Sequence, residues 1–197
     1  MRLFIATTFP QDVLRLLNDR VQPVRPRLPP ASWVRPEAQH LTFAFLGEHP
    51  AALVDALTPL LTARLENVPG FEASLRGCGF FPNPRHARVG WVGAEPEERF
   101  GAIAAAVRAA VKDAGVELDR SEFRPHLTMM RMREGWPPMS IETFTKALRD
   151  YRSTPFRVDR VTLYESKLNP KGAEHTALRQ FELSNGPSPR LRGEGGA

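Results

Sequence analysis

The spacing of apolar and polar positions divides the chain into two halves with the same order of elements. Leu3 to Phe9 alternates and is rich in β-formers, which predicts a strand. From about Pro10 to Arg20 the period changes to that of a helix, with Val13, Leu16, Leu17 and Val21 on one face. A strand through His40 follows, then a helix near Ala51 to Leu65 and a long strand beginning at Phe71. The second half repeats the order. It has a strand at Val89 to Val92, a helix from about Pro96 to Ala114 carrying Phe100, Ile103, Val107 and Val111, and a strand through His126. A helix near Ile141 to Tyr151 and a strand from Phe156 complete it. Both halves read βαβαβ, and a last strand at about Glu174 to Ser184 has no counterpart and should close a sheet edge.

These elements predict an α+β fold of two similar lobes, residues 1–85 and 86–184, within one domain spanning 1–184. Each lobe would hold a mostly antiparallel sheet backed by helices. An approximate two-fold axis would relate the lobes, with a cleft between them in which His40 faces His126. Residues 185–197 combine Gly, Pro, Ser and Arg with no apolar period and are expected to form a flexible tail.

Composition narrows the class. At 42% apolar and 25% charged residues, the balance is that of a globular chain rather than a disordered one. Its apolar runs fall short of the roughly 20 residues of a membrane helix, and the start lacks the features of a secretory signal, so a cytoplasmic protein is expected. Cys78, the single cysteine, excludes an intrachain disulfide and a cysteine-rich zinc site. The net charge is +5, and Lys112, Lys146, Lys167 and Lys171 are the only lysines among the 27 basic residues. An arginine excess favours phosphate through the bidentate guanidinium, although genome base composition explains such a bias equally well.

The chemistry is concentrated where the repeat is strongest. His40-Leu41-Thr42-Phe43 recurs 86 residues later as His126-Leu127-Thr128-Met129. On a strand, His and Thr share one face, so Leu41, Phe43, Phe45, Leu127 and Met129 are expected to pack under the helices. Two imidazoles and two hydroxyls then face the cleft. Imidazole gives or takes a proton near neutral pH, and a β-branched hydroxyl is a preorganised donor to a phosphoryl oxygen. A single histidine on a strand is more often a hydrogen-bonded core or rim residue. Two identical triplets in register with a repeat of the whole half-domain favour function.

The paired motifs resemble the two His-x-Thr-x signatures of the 2H phosphoesterases. Arg2-Leu3-Phe4-Ile5-Ala6, Phe45-Leu46-Gly47-Glu48, Pro125 before the second motif, Arg131 after it, and Leu163-Tyr164-Glu165-Ser166 narrow the resemblance. They are similar to the RNA 2',3'-cyclic phosphodiesterases, historically called 2'-5' RNA ligases, over about Met1 to Ser184. The resemblance implies hydrolysis of a 2',3'-cyclic phosphate at an RNA end, or on a small cyclic nucleotide, to a 2'-phosphomonoester. It implies no metal, no cofactor and no membrane partner, with a monomer expected. His40 would be the proton donor to the leaving 3'-oxygen and His126 the proton acceptor that activates water. Thr42, Thr128 and Arg131 would hold the phosphate. Strict alternation places Arg131 opposite His126, so its role requires a bulge or a strand end. Reverse 2'-5' ligation is allowed by microscopic reversibility.

Other residues carry weaker signals. Trp33, Phe9 and Trp136 are candidate stackers for a terminal base, though aromatics in such segments are more often packing. Lys167, Lys171 and Arg179 could rim the cleft, and the loop Arg85-His86-Ala87-Arg88 is a candidate RNA contact. His49, His86 and His175 lack a partnered hydroxyl motif and read as surface or rim residues. No His-x-x-x-His or His-Glu-x-x-His spacing occurs, which speaks against a metal phosphoesterase. Two alternatives remain open: a non-catalytic module that binds RNA ends, and a 2H phosphoesterase acting on another cyclic phosphate or RNA 3' end.

Overall fold

A computed structural model describes residues 1–169 and 172–185. Lys171 and all of the expected tail except Asn185 lie outside the described residues. Along the chain run β1 (Arg2–Thr7), α1 (Gln11–Val21), β2 (Ser32–Trp33), β3 (Leu41–Glu48), α2 (Ala52–Leu65), β4 (Phe71–Phe81) and β5 (Val89–Glu95). They are followed by α3 (Glu97–Asp113), β6 (His126–Arg131), α4 (Pro138–Leu148), β7 (Phe156–Val158), β8 (Arg160–Asn169) and β9 (Gly172–Glu182).

Helix limits follow the prolines. α1 and α3 begin directly after Pro10 and Pro96. α4 starts at Pro138 rather than at the expected Ile141, because proline is well suited to the first helical turn. On α1 the buried stripe is Val13, Leu14, Leu17 and Val21. Leu16, expected on that face, is 47% exposed, since one residue turns the helix by about 100° away from Leu17.

The strands form one sheet in the order β7-β4-β5-β6-β3-β1-β8-β9, with β2 paired to β6. All registered pairings between these strands are antiparallel. The expected strand from Phe156 is split at Asp159: β7 pairs with β4, whereas β8 pairs with β1. A single residue therefore connects the strand at one end of the sheet to a strand near the other end. Consecutive Cα atoms are about 3.8 Å apart, so the sheet must curl until its two halves converge.

The pairing also corrects the expectation of lobes that each use one contiguous half of the chain. β4, from the first half, pairs with β5, and β8, from the second, pairs with β1. Each half-sheet thus draws strands from both sequence repeats. The unmatched last strand, β9, does form a sheet edge.

α2 packs against α3, and α1 against α4. Leu41, Phe43, Leu127 and Met129 are buried in one apolar cluster with residues of all four helices, including Leu17, Leu61, Ile103 and Phe144. Phe45 departs from the expectation and is 52% exposed. The reason is a β-bulge. Ala6 pairs with Thr42 and Ile5 with Ala44, so Phe43 is skipped in the ladder. Phe43 and Ala44 both point into the core, and every later side chain of the strand changes face.

Phe100 is fully buried and meets the ring of Phe71 edge-on at 5.0 Å. Phe100→Ala should cost about 3–5 kcal/mol, from lost burial plus the cavity left behind. Urea unfolding checks this, with a lowered midpoint and an unchanged slope expected.

Candidate active site

Strands β3 and β6 pair through a single registered couple, Leu41 opposite Leu127. Continuing that antiparallel register by one residue each way sets His40 against Thr128 and Thr42 against His126. The four polar side chains therefore form a square about the local two-fold, while both leucines point into the core. All four line one cleft of about 540 Å³. Neither threonine hydroxyl has a hydrogen-bond partner among the described residues, which leaves both free to donate to a ligand.

β6 carries the same bulge as β3. Gly90 pairs with Met130 and Trp91 with Thr128, so Met129 is skipped. Met129 and Met130 are both buried, and Arg131 is returned to the face of His126 and Thr128. The condition that alternation placed on Arg131 is met, and its side chain lines the cleft.

Each histidine is fixed by the same local contact. His40 Nδ1 lies 2.8 Å from the Ala38 carbonyl oxygen, and His126 Nδ1 lies 2.7 Å from that of Arg124. A carbonyl only accepts, so Nδ1 carries the proton in both rings. Nε2 is then the atom that gains or loses a proton. Aromatic rings hold the imidazoles from the side: Phe4 at 4.8 Å from His40, and Phe81 edge-on at 4.9 Å from His126. Trp91 stands 6.1 Å from His126. It fits because position 79 is glycine, where a Cβ would come within 2.3 Å of the indole.

Burial and positive neighbours disfavour protonation of these rings. His40 is pushed down to about 4, chiefly by desolvation, with His175, Arg131 and His126 adding repulsion against the lift from the Ala38 carbonyl. His126 is lowered as well, by desolvation and then Arg131, against its bond to Arg124.

Of the weaker candidates, only Trp33 lines the cleft. It is brought there by β2, a strand the Pro-rich segment conceals, which pairs Ser32 with Arg131 and Trp33 with Met130. Phe9, 4% exposed against Phe156, and Trp136, 6% exposed, are core residues and cannot stack a base. Arg179 turns to Asp55 at 3.5 Å and Lys167 to Glu165 at 3.5 Å; neither lines the cleft. His49 and His86 also lie outside the lining.

His175 is the residue that sequence reasoning undervalues. Its ring meets His40 edge-on at 5.1 Å and Phe4 at 4.9 Å, and burial lowers its pKa. Its place follows from long-range pairing, because Arg2 pairs with Ser166 and Ser166 with His175. β9 has no equivalent in the repeat, so no internal register could have revealed it.

The model of the 2'-5' RNA ligase superfamily matches residues 13–170. The RNA 2',3'-cyclic phosphodiesterase of Thermus thermophilus is 33% identical over 212 aligned positions, covering 98% of this chain and all of that protein. A crystal structure of TT0787 of Thermus thermophilus superposes with a TM-score of 0.77 at 31% identity, over 94% of this chain and 100% of that one. The Escherichia coli LigT structure complexed with 3'-AMP gives a TM-score of 0.68 at 25% identity, over 92% and 97%. The paired His-Leu-Thr strands thus sit in a fold and a sequence shared over nearly the full length, and the chain belongs to the 2'-5' RNA ligase superfamily.

Proposed function

We propose that this protein is a hydrolase that opens 2',3'-cyclic phosphates at RNA ends and on small cyclic nucleotides, giving 2'-phosphomonoesters. The observation that carries the reading is the square of His40, Thr128, Thr42 and His126, with both Nδ1 atoms tied to carbonyls and Arg131 turned onto the same face. The relatives named for this activity support it.

In the proposed reaction, His126 Nε2 takes a proton from water as the water oxygen forms a bond to phosphorus. The bond from phosphorus to the 3'-oxygen breaks in line, and His40 Nε2 gives its proton to that oxygen. Thr42 and Thr128 donate to the non-bridging oxygens, and Arg131 offsets the charge that grows there. Running backwards, with a 5'-hydroxyl in place of water, the same steps make a 2'-5' bond. No helix among the described residues is long and apolar enough to cross a membrane. Every group in the proposed reaction comes from one chain, which fits a monomer, and the RNA substrate fits the cytoplasm.

His40 must carry a proton to act as an acid, yet in the free protein it sits at about 4. The substrate resolves this conflict. A phosphodiester anion placed among three imidazoles and a guanidinium stabilises protonated imidazole, so binding raises His40.

His40→Ala and His126→Ala should each lower turnover by about 10²–10⁴ with the fold retained. Assays on a 2',3'-cyclic nucleotide check this, and near-normal activity in either variant refutes the mechanism. A folded wild-type protein that binds the nucleotide without turnover would point to an RNA-end-binding module instead.

Complete digestion of a cyclic nucleotide should yield 2'-monophosphate. A predominant 3'-monophosphate, separated by chromatography, would reverse the two histidine roles.

Activity is gained as pH rises through His126, which must be neutral, and lost as pH rises through His40, which must be charged. The free protein, with both pKa values depressed, sets the profile of kcat/KM; the complex sets that of kcat. The descending limb of kcat should therefore lie at higher pH than that of kcat/KM. Coincident limbs would show that substrate does not raise His40.

A further inference from the structure

Positions 45 and 131 are equivalent under the repeat, since Phe45 lies four residues beyond Leu41 and Arg131 four beyond Leu127. The two strands run antiparallel through the Leu41–Leu127 pair, so these steps lead in opposite directions from the local two-fold. Equivalent bulges at Phe43 and Met129 turn both side chains onto the cleft face. One arm of the cleft thus ends in a guanidinium and the other in an aromatic ring.

The aromatic arm is built for an apolar, flat group. Among the described residues, Leu16, Phe45, Met139 and Leu168 are the large apolar side chains most exposed to water, and two of them, Phe45 and Leu168, line this cleft. The guanidinium carbon of Arg2 lies 5.0 Å from the centroid of the Phe45 ring. A cation over one ring face, with the ring still half exposed, makes a stacking surface that every nucleobase can use. Scattered exposed aromatics are ordinary on a surface. This one stands on the strand that carries His40 and Thr42, four residues from its buried pivot.

We infer that Phe45, with Arg2 stacked on it, is the nucleobase platform of the cleft and the residue that fixes which way round the cyclic phosphate binds. The inference rests on the proposed activity for its substrate. Around a local two-fold, a symmetric site would accept the five-membered phosphate ring in two orientations, exchanging the roles of His40 and His126. Arg131 on one arm and Phe45 on the other remove that equivalence. The phosphate is drawn toward the guanidinium and the base toward the ring, so a single ester oxygen is presented to His40.

Binding of adenosine 2'-monophosphate and of inorganic phosphate to the full chain tests the platform by calorimetry, independently of turnover. Phe45→Ala should weaken the nucleotide by about tenfold or more, the range expected for loss of one base stack. Phosphate affinity should stay within about twofold, and Phe45→Trp should restore the nucleotide. Equal losses for both ligands, or no loss for either, would overturn the platform. Phe45→Arg makes the two arms alike and should turn a single monophosphate isomer into a mixture of 2'- and 3'-products. An unchanged product ratio would overturn the orienting role. If the wild-type protein hydrolyses no cyclic nucleotide, the proposed activity fails, while the comparison of nucleotide with phosphate still decides the platform.

Discussion

Where Leu41 meets Leu127, strands from the two repeats share their one registered pair, and both side chains are wholly shielded from water. Side chains on a strand alternate with a period of two, so burying these leucines forces His40, Thr42, His126 and Thr128 onto the other face. A slip of one residue in either strand would bury a histidine and expose a leucine, losing about 2 kcal/mol of apolar burial before any cost of the trapped polar ring. The core thereby sets the phase of the polar square. The crossing of β4 and β8 between the halves then ties each half-sheet to both repeats, so neither histidine strand is carried by a separable unit.

The two bulges extend the site beyond what alternation allows. By skipping Phe43 and Met129, they turn Phe45 and Arg131 onto the face of the histidines while placing two adjacent residues of each strand in the core. Bulges reorient side chains without moving the strand. Here they enlarge a four-residue square into a cleft with two chemically different arms, and the β2 strand adds Trp33 beside the guanidinium arm.

Much of this is legible in local periodicity, and long-range pairing accounts for what periodicity misses. The order of helices and strands, the shared face of His40 and Thr42, and the equivalence of the two triplets all follow from spacing within a few residues. Alternation misplaces Phe45 because the bulge at Phe43 breaks the period with no glycine or proline beside it as a signal. Arg131 is recovered only by requiring such a bulge. His175 sits beside His40 because three strands distant in sequence pair at Arg2, Ser166 and His175, which no local pattern contains. The split at Asp159 is concealed because β7 and β8 alternate almost continuously, and only their different partners separate them.

The two histidines share one tautomer, since each Nδ1 is bound to the carbonyl two residues before it. A difference in their roles must therefore come from what surrounds the rings. His40 is crowded by Phe4 and by a third imidazole, whereas His126 leans on Phe81 and Trp91 without a second histidine in contact. The more crowded ring binds its proton less tightly in the free protein. Such a ring is an effective donor once the substrate's negative charge has brought the proton in, because it releases that proton readily as the charge leaves phosphorus for the departing oxygen. His126, with fewer cationic neighbours, is the stronger base of the two and is suited to water. The proposed division of labour thus follows from an aromatic and imidazole cluster on one arm only, the arm that also carries Phe45.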